Sequence, residues 1–161
     1  MKDFVVFCFF LLLCNNIAEA QTYAGLPDSS HVLVVYNELD STSVQVKNYY
    51  QTARSIPASN IVPLILDTIA YDGAVKLVQS GEVIRRMGSC SDYDSNGVCD
   101  SLAWYYFEEY IAGPIRNHLN NTVDPNTGKP LFNQIRYIVL CKGVPFRIIT
   151  TPNETISYAA A

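Results

Sequence analysis

Three short, nearly unbroken apolar runs mark the chain: HVLVVYN at 31–37, NIVPLIL at 60–66 and IRYIVL at 135–140. Runs of this length, rich in Val and Ile and closed by polar residues, predict strands buried on both faces, as in a parallel sheet. Pro63 cannot donate to a ladder, so the second run is expected at a sheet edge or a bulge. Between the first two runs the period changes. Val46, Tyr49, Tyr50 and Ala53 fall at i, i+3, i+4 and i+7, which predicts a helix from Ser41 to Arg54 with those residues on its apolar face. Asp40, Ser41 and Ser43 supply start signals, and Ser55-Ile56-Pro57 stops it. The result is a β-α-β unit with a right-handed crossover expected.

Residues 67–87 fit either a helix or a hairpin turning at Ser80-Gly81. A second helix is predicted from Ser101 to Leu119, with Trp104, Phe107, Ile111, Ile115 and Leu119 as its apolar stripe. Gly113-Pro114 must kink or divide it, because proline removes a helical hydrogen bond. The order implies an α/β fold, an open three-layer sheet with mainly parallel strands. Three strands make a thin sheet. The expectation is therefore an incomplete one, with the chain as the N-terminal part of a longer protein.

The N-terminus changes the compartment. Lys2 precedes an apolar run from Phe4 to Leu13, and Ala18-Glu19-Ala20 has the small-x-small pattern of a cleavage site. Residues 1–20 read as a secretory signal peptide, leaving an α/β domain at 21–161. The run is shorter than the ~20 residues that span a bilayer. No second apolar span follows, so no membrane span is expected after signal removal and the product is expected to be periplasmic, extracellular or otherwise secreted. The mature part carries ten basic and thirteen acidic residues with no Lys/Arg cluster, which argues against nucleic acid as a partner. A protein or peptide partner stays open, and oligomeric state is not readable. In an oxidising compartment Cys90 and Cys99 are the obvious disulfide pair. Cys141, inside an apolar pattern, reads as a buried free thiol.

Several stretches occur together in one order: HVLVVYN, Asn48-Tyr49-Tyr50, Arg54-Ser-Ile56-Pro57-Ala-Ser-Asn60-Ile61, Gly113-Pro114-Ile115, and Tyr137-Ile-Val-Leu140-Cys-Lys142-Gly143-Val144-Pro145. In that order and spacing the chain resembles an uncharacterised family of secreted prokaryotic proteins found in genomes that encode exosortase. The resemblance covers most of the mature chain and implies no established activity. Members of that family are longer, so a late catalytic residue would follow Ala161. The Cys90 to Cys99 loop looks like a local elaboration. A weaker topological similarity is to gingipain-like cysteine peptidases. There a catalytic His and Cys follow later strands, and neither His31 nor His118 matches by position.

Two places could carry chemistry. The first is Asp92-x-Asp94-x-Asn96-Gly97-Val98-x-Asp100, which has the spacing of a calcium loop. Oxygen ligands stand at positions 1, 3 and 5, glycine at 6, a backbone carbonyl (Val98) at 7 and a carboxylate at 9. A hard cation wants six to eight oxygens, and alternate side chains of a tight loop point them inward. Position 12 is Ala103 rather than the usual Glu. The same residues also suit an exposed turn held by a Cys90–Cys99 bridge, worth roughly 2.5–3 kcal/mol in the chain-entropy model. Any calcium is expected to be structural; no other cofactor is implied. The second place is the carboxyl ends of the strands, where open α/β sheets bind ligands. Asn37, Glu38, Asp40 and Ser41 follow the first run, and Lys142 and Gly143 the third. Lys142 could hold an anion and Asp40 could act as a base, making Asp40, Ser41 and Lys142 the catalytic candidates. Their plainer roles are helix caps and a surface lysine. No Ser-His-Asp or Cys-His set can be assembled from the sequence. Two functions remain: a non-catalytic secreted domain with a disulfide-tied, calcium-binding loop, or the N-terminal part of a cysteine-peptidase-like hydrolase whose nucleophile lies beyond residue 161.

Overall fold

The structure, a computed structural model, describes residues 28–87 and 102–149. Residues 1–20, which read as a signal peptide, and the stretch from Cys90 to Cys99, with Asp92, Asp94, Asn96, Val98 and Asp100, lie outside the described residues.

The three apolar runs form one parallel sheet. Its central strand is β1 (Val32–Asn37), flanked by β2 (Ile61–Leu64) and β6 (Tyr137–Leu140). Val34 pairs with Ile61 on one side and with Val139 on the other. Period-2 alternation divides β1 between two apolar clusters. Val32 and Val34 pack with Ile56, Cys141 and Tyr50 on one face. Leu33 and Val35 pack with Val62, Leu64, Tyr106 and Ile111 on the other. Helices therefore cover both faces, which is why β1 carries no polar residue before Tyr36. Pro63 sits exposed on β2, an outer strand, where its missing N–H costs no ladder bond. Cys141, just past β6, is a buried free thiol.

Helix α1 (Ser41–Arg54) has the expected bounds. The Asp40 side chain accepts from the Thr42 and Ser43 N–H groups, and Ser55 closes the helix in the left-handed region at φ 51°. Its buried face is not the expected one. Tyr49 is 76% exposed and Val46 39%, and Ala53 is exposed too. Ser43 is buried instead, its Oγ accepting the Asn37 N–H at 2.9 Å. Lys47 lies 5.1 Å from the Tyr36 ring centre, and Tyr50 packs on the β1 cluster. The helix is oriented by one polar contact to the strand end, by the Lys47 ammonium over the Tyr36 ring and by Tyr50 packed on the sheet.

Residues 67–87 form hairpins, and these build a second sheet. Its order is β3 (Ile69–Ala70), β4 (Val75–Val78), β5 (Val83–Arg86), β7 (Arg147–Ile149). The first three strands are antiparallel neighbours, and β5 and β7 run parallel. The mainly parallel arrangement thus holds for the first sheet, while the second is mixed. Both hairpins turn through three consecutive left-handed residues ending in glycine: Tyr71-Asp72-Gly73 and Gln79-Ser80-Gly81. Left-handed turn residues match the twist of the flanking strands.

The second helix is continuous through Gly113-Pro114. It comprises α2 (Leu102–Phe107), a π turn (Glu108–Ala112) and α3 (Gly113–Asn121). The Gly113 N–H bonds the Glu108 carbonyl, five residues back. The π turn absorbs the proline, whose ring would otherwise strike a carbonyl in the preceding turn. It also shifts the phase. The buried residues are Leu102, Ala103 and Tyr106 before it and Ile111 and Ile115 after it, a step of five at the π turn. The stripe expected at strict helical spacing is therefore wrong at its start, where Trp104 is 51% exposed and Tyr106 takes the core. Gly113 is required by the same turn: a Cβ there would lie 2.8 Å from the Glu108 carbonyl oxygen. In an ordinary helix Gly→Ala stabilises by about 1 kcal/mol. Here Gly113→Ala is expected to destabilise by about 1–2 kcal/mol, the clash outweighing the propensity gain. Urea unfolding checks the sign, and a raised midpoint would count against the π turn.

Candidate functional site at the strand ends

β1 and β2 end side by side, and the chain leaves each in a polar turn. Into the same space the Gln79–Gly81 turn folds back from the second sheet. Together they enclose an open cleft of about 560 Å³. Asn37, Asp40 and Ser41 line it from β1 and the start of α1; Asp67 and Thr68 line it from the end of β2; Gln79, Ser80 and Gly81 form the far wall. Leu39, Leu66 and Leu77 supply its apolar part.

Asn37 is the most constrained of these. It is only 6% exposed. Its N–H donates to Ser43 Oγ, and its Oδ1 accepts the Leu39 N–H at 3.1 Å. Its Nδ2 makes no hydrogen bond among the described residues, and it is not a buried unpartnered atom. Asp40 is held from two sides. Oδ1 accepts from Thr42 N at 2.8 Å and from Ser43 N at 3.3 Å, while Oδ2 packs on Gly143. Gly143 has φ +87°, and a Cβ on it would lie 2.5 Å from that oxygen. A Cβ on Gly81 would lie 3.0 Å from the Gly143 carbonyl oxygen. Three backbone segments far apart in sequence thus meet at glycine contacts beside the cleft.

The remaining carboxylate, Asp67, makes no hydrogen bond or ion pair among the described residues through its side chain. Its backbone carbonyl accepts the Tyr106 hydroxyl at 2.7 Å, which ties the β2 exit to the helix behind it. Burial pushes the Tyr106 phenol well above its ordinary 10.0, with the Asp67 charge adding to it. Tyr71, which donates to Glu109 Oε2 at 2.8 Å, is raised to about 12, first by burial and then by that carboxylate. Among the described residues the lining contains two carboxylates and no Lys, Arg or His. The site therefore favours ligands with hydrogen-bond donors, whether hydroxyl or amine.

Of the residues the sequence singles out, Asp40 and Ser41 line the cleft, and Lys142 is exposed and outside the lining. His118 Nε2 lies 2.8 Å from the Ser59 carbonyl and secures the α3 surface, away from the cleft. Burial raises the Cys141 thiol, with Lys47 opposing it, so the sulfur stays protonated and behaves as a small core residue. Sequence reasoning missed Asp67, Thr68 and Gln79. Only the Ser80-Gly81 turn signal pointed to that wall, and nothing local shows that the hairpin folds over the strand ends.

The fold and cleft define a class: an α/β domain with helices on both faces of a parallel sheet and a polar cleft at its carboxyl ends. Comparison with family models, with curated proteins and with solved structures finds no match. No helix among the described residues is long and apolar enough to cross a membrane.

Proposed function

We propose that the chain is a secreted, non-catalytic α/β recognition module. Its cleft receives a small ligand bearing hydroxyl or amine donors. The observation that carries this reading is the cleft's chemistry: Asn37, Asp40 and Asp67 share a lining in which, among the described residues, no Lys, Arg or His stands. The loop from Cys90 to Cys99 serves as a stiffening element, a disulfide with structural calcium on Asp92, Asp94, Asn96, Val98 and Asp100. The position of the cleft also favours a second reading, since enzymes of this fold class place their chemistry at strand carboxyl ends. In that reading the chain is the N-terminal part of a cysteine-peptidase-like hydrolase, and a His and a Cys after further apolar strands would supply the reaction.

The test uses the oxidised mature chain, labelled with ¹⁵N and titrated with spermidine and separately with N-acetylglucosamine. Saturable shifts at Asn37, Asp67 and Gln79–Gly81, lost in Asp67→Asn, support the cleft. No saturable shift with either probe removes it. Calorimetric calcium titration, with an Asp92→Ala, Asp94→Ala double variant as control, tests the loop independently. Binding lost in that variant assigns the metal; no heat leaves a disulfide-tied turn.

A further inference from the structure

β6 is an outer strand of the first sheet, four residues long. It has no proline, no bulge and no inward charge; its sequence is Tyr137-Ile138-Val139-Leu140. Tyr137, Ile138 and Leu140 are 47%, 49% and 39% exposed. On its inner side β6 pairs with β1, and the Cys141 N–H donates to the Val35 carbonyl at 2.8 Å. Alternation along a parallel strand then turns the N–H and C=O groups of Ile138 and Leu140 to the outer side. Among the described residues no strand pairs with that side. Such an edge is a template for another strand.

The side chains beside this edge form a receptor for alternate residues. Ile138 and Leu140 share an almost wholly apolar groove of about 410 Å³ with Phe107, Ile111, Ile115 and Leu119. Arg116 on its rim is already paired with Glu108 at 2.6 Å. Charge marks the two ends of the strand. Arg136 immediately precedes β6 and Lys142 follows it by two residues; both are exposed, and neither forms an ion pair among the described residues. At ~3.3 Å per residue they stand roughly 20 Å apart along the strand direction.

We propose that the β6 edge takes up an extended segment of a partner polypeptide as an added strand. The segment carries apolar side chains at alternate positions, which enter the groove, and a carboxylate at each end. Both ends of β6 are cationic, so acidic ends suit the segment whichever way it runs. The same charges disfavour a second copy of this chain, because antiparallel β6 pairing would set the cationic end of one strand on the cationic end of the other. Main-chain bonds would supply affinity and the groove specificity, as in other strand-addition complexes.

The experiment uses the mature chain and a fluorescent heptapeptide, Asp-Val-Thr-Val-Thr-Val-Asp, followed by anisotropy. Saturable binding is expected, at least tenfold tighter than that of the version with lysine at both ends. The charge-reversed variant Arg136→Glu, Lys142→Glu, altered only at exposed positions, should invert that preference. A peptide N-methylated at alternate residues should bind at least tenfold more weakly, because it cannot complete the ladder. No saturable binding overturns the proposal. Equal binding of both charge forms overturns it as well, and so does undiminished binding of the N-methylated peptide. A chain that sediments as a dimer and excludes the peptide gives the edge to a second copy and also overturns it.

Discussion

Gly143→Ala is expected to cost about 2–3 kcal/mol, from ~1–2 for forcing a Cβ into the left-handed region and ~1 for a disturbed helix cap. The second part comes from Asp40. A Cβ at 143 would lie 2.5 Å from Asp40 Oδ2, so the carboxylate must move off the Thr42 and Ser43 N–H groups. Denaturant unfolding of four chains separates the two parts: the parent, Asp40→Ala, Gly143→Ala and the double variant. Asp40→Ala alone removes the cap, at about 1 kcal/mol. In that background Gly143→Ala should cost only the backbone part, giving a coupling of about 1 kcal/mol. Strict additivity would mean that the two residues do not press on each other. Gly143→Ala should also weaken ligand shifts at Gln79–Gly81, since Gly81 rests on the Gly143 carbonyl.

Tyr106 carries the other large effect. It is 1% exposed and sits where the helix meets both sheets. Tyr106→Ala should cost ~3–5 kcal/mol, the usual range for removing a buried aromatic ring. Tyr106→Phe keeps the packing and loses only the hydrogen bond to the Asp67 carbonyl, at about 1 kcal/mol. The phenylalanine variant is the informative one for the cleft: it should remain folded while ligand shifts at Asp67 weaken. It also has a pH signature. The folded phenol holds its proton more tightly than an unfolded one of ordinary pKa 10.0. Above that pH the unfolded chain ionises first and gains free energy, so stability present below it falls as pH rises. Tyr71, raised to about 12, acts in the same direction. Tyr106→Phe should make the alkaline fall shallower. An unchanged slope in alkaline urea titrations would contradict the burial of that hydroxyl.

The parallel sheet was legible because its strands read as continuous apolar runs, but the expected burial on both faces holds for β1 alone: β2 exposes Pro63, and β6, at the edge, exposes Tyr137, Ile138 and Leu140. The ends of α1 were legible for local reasons, an Asp40 cap and an Ile-Pro stop. Its orientation was not. Val46, Tyr49 and Ala53 outrank Ser43 and Lys47 in hydrophobicity, and the contact that decides, Ser43 Oγ with the Asn37 N–H, is tertiary. The hairpins were ambiguous because strands of two to four residues are too short to show a period. The π turn defeated a fixed-period reading, since every residue before it is one place out of phase with those after it. Half of the cleft was readable from the rule about strand carboxyl ends. The other half comes from Gln79–Gly81, which reaches the site only through the second sheet.

The central position of β1 has a consequence for the order of assembly. Its contact with β2 closes a segment of 27 residues, Val34 to Ile61, whereas its contact with β6 closes one of 105, Val34 to Val139. By loop-closure entropy alone the second contact costs roughly 1 kcal/mol more. The β1-α1-β2 half can therefore form while the outer flank of β1 still lacks its neighbour. A chain emerging N-terminus first would leave one flank of Val32 to Val35 unpaired until some hundred further residues had appeared. During that interval the most hydrophobic strand of the protein is also its most vulnerable, and a chaperone that shields extended apolar segments would find its target there.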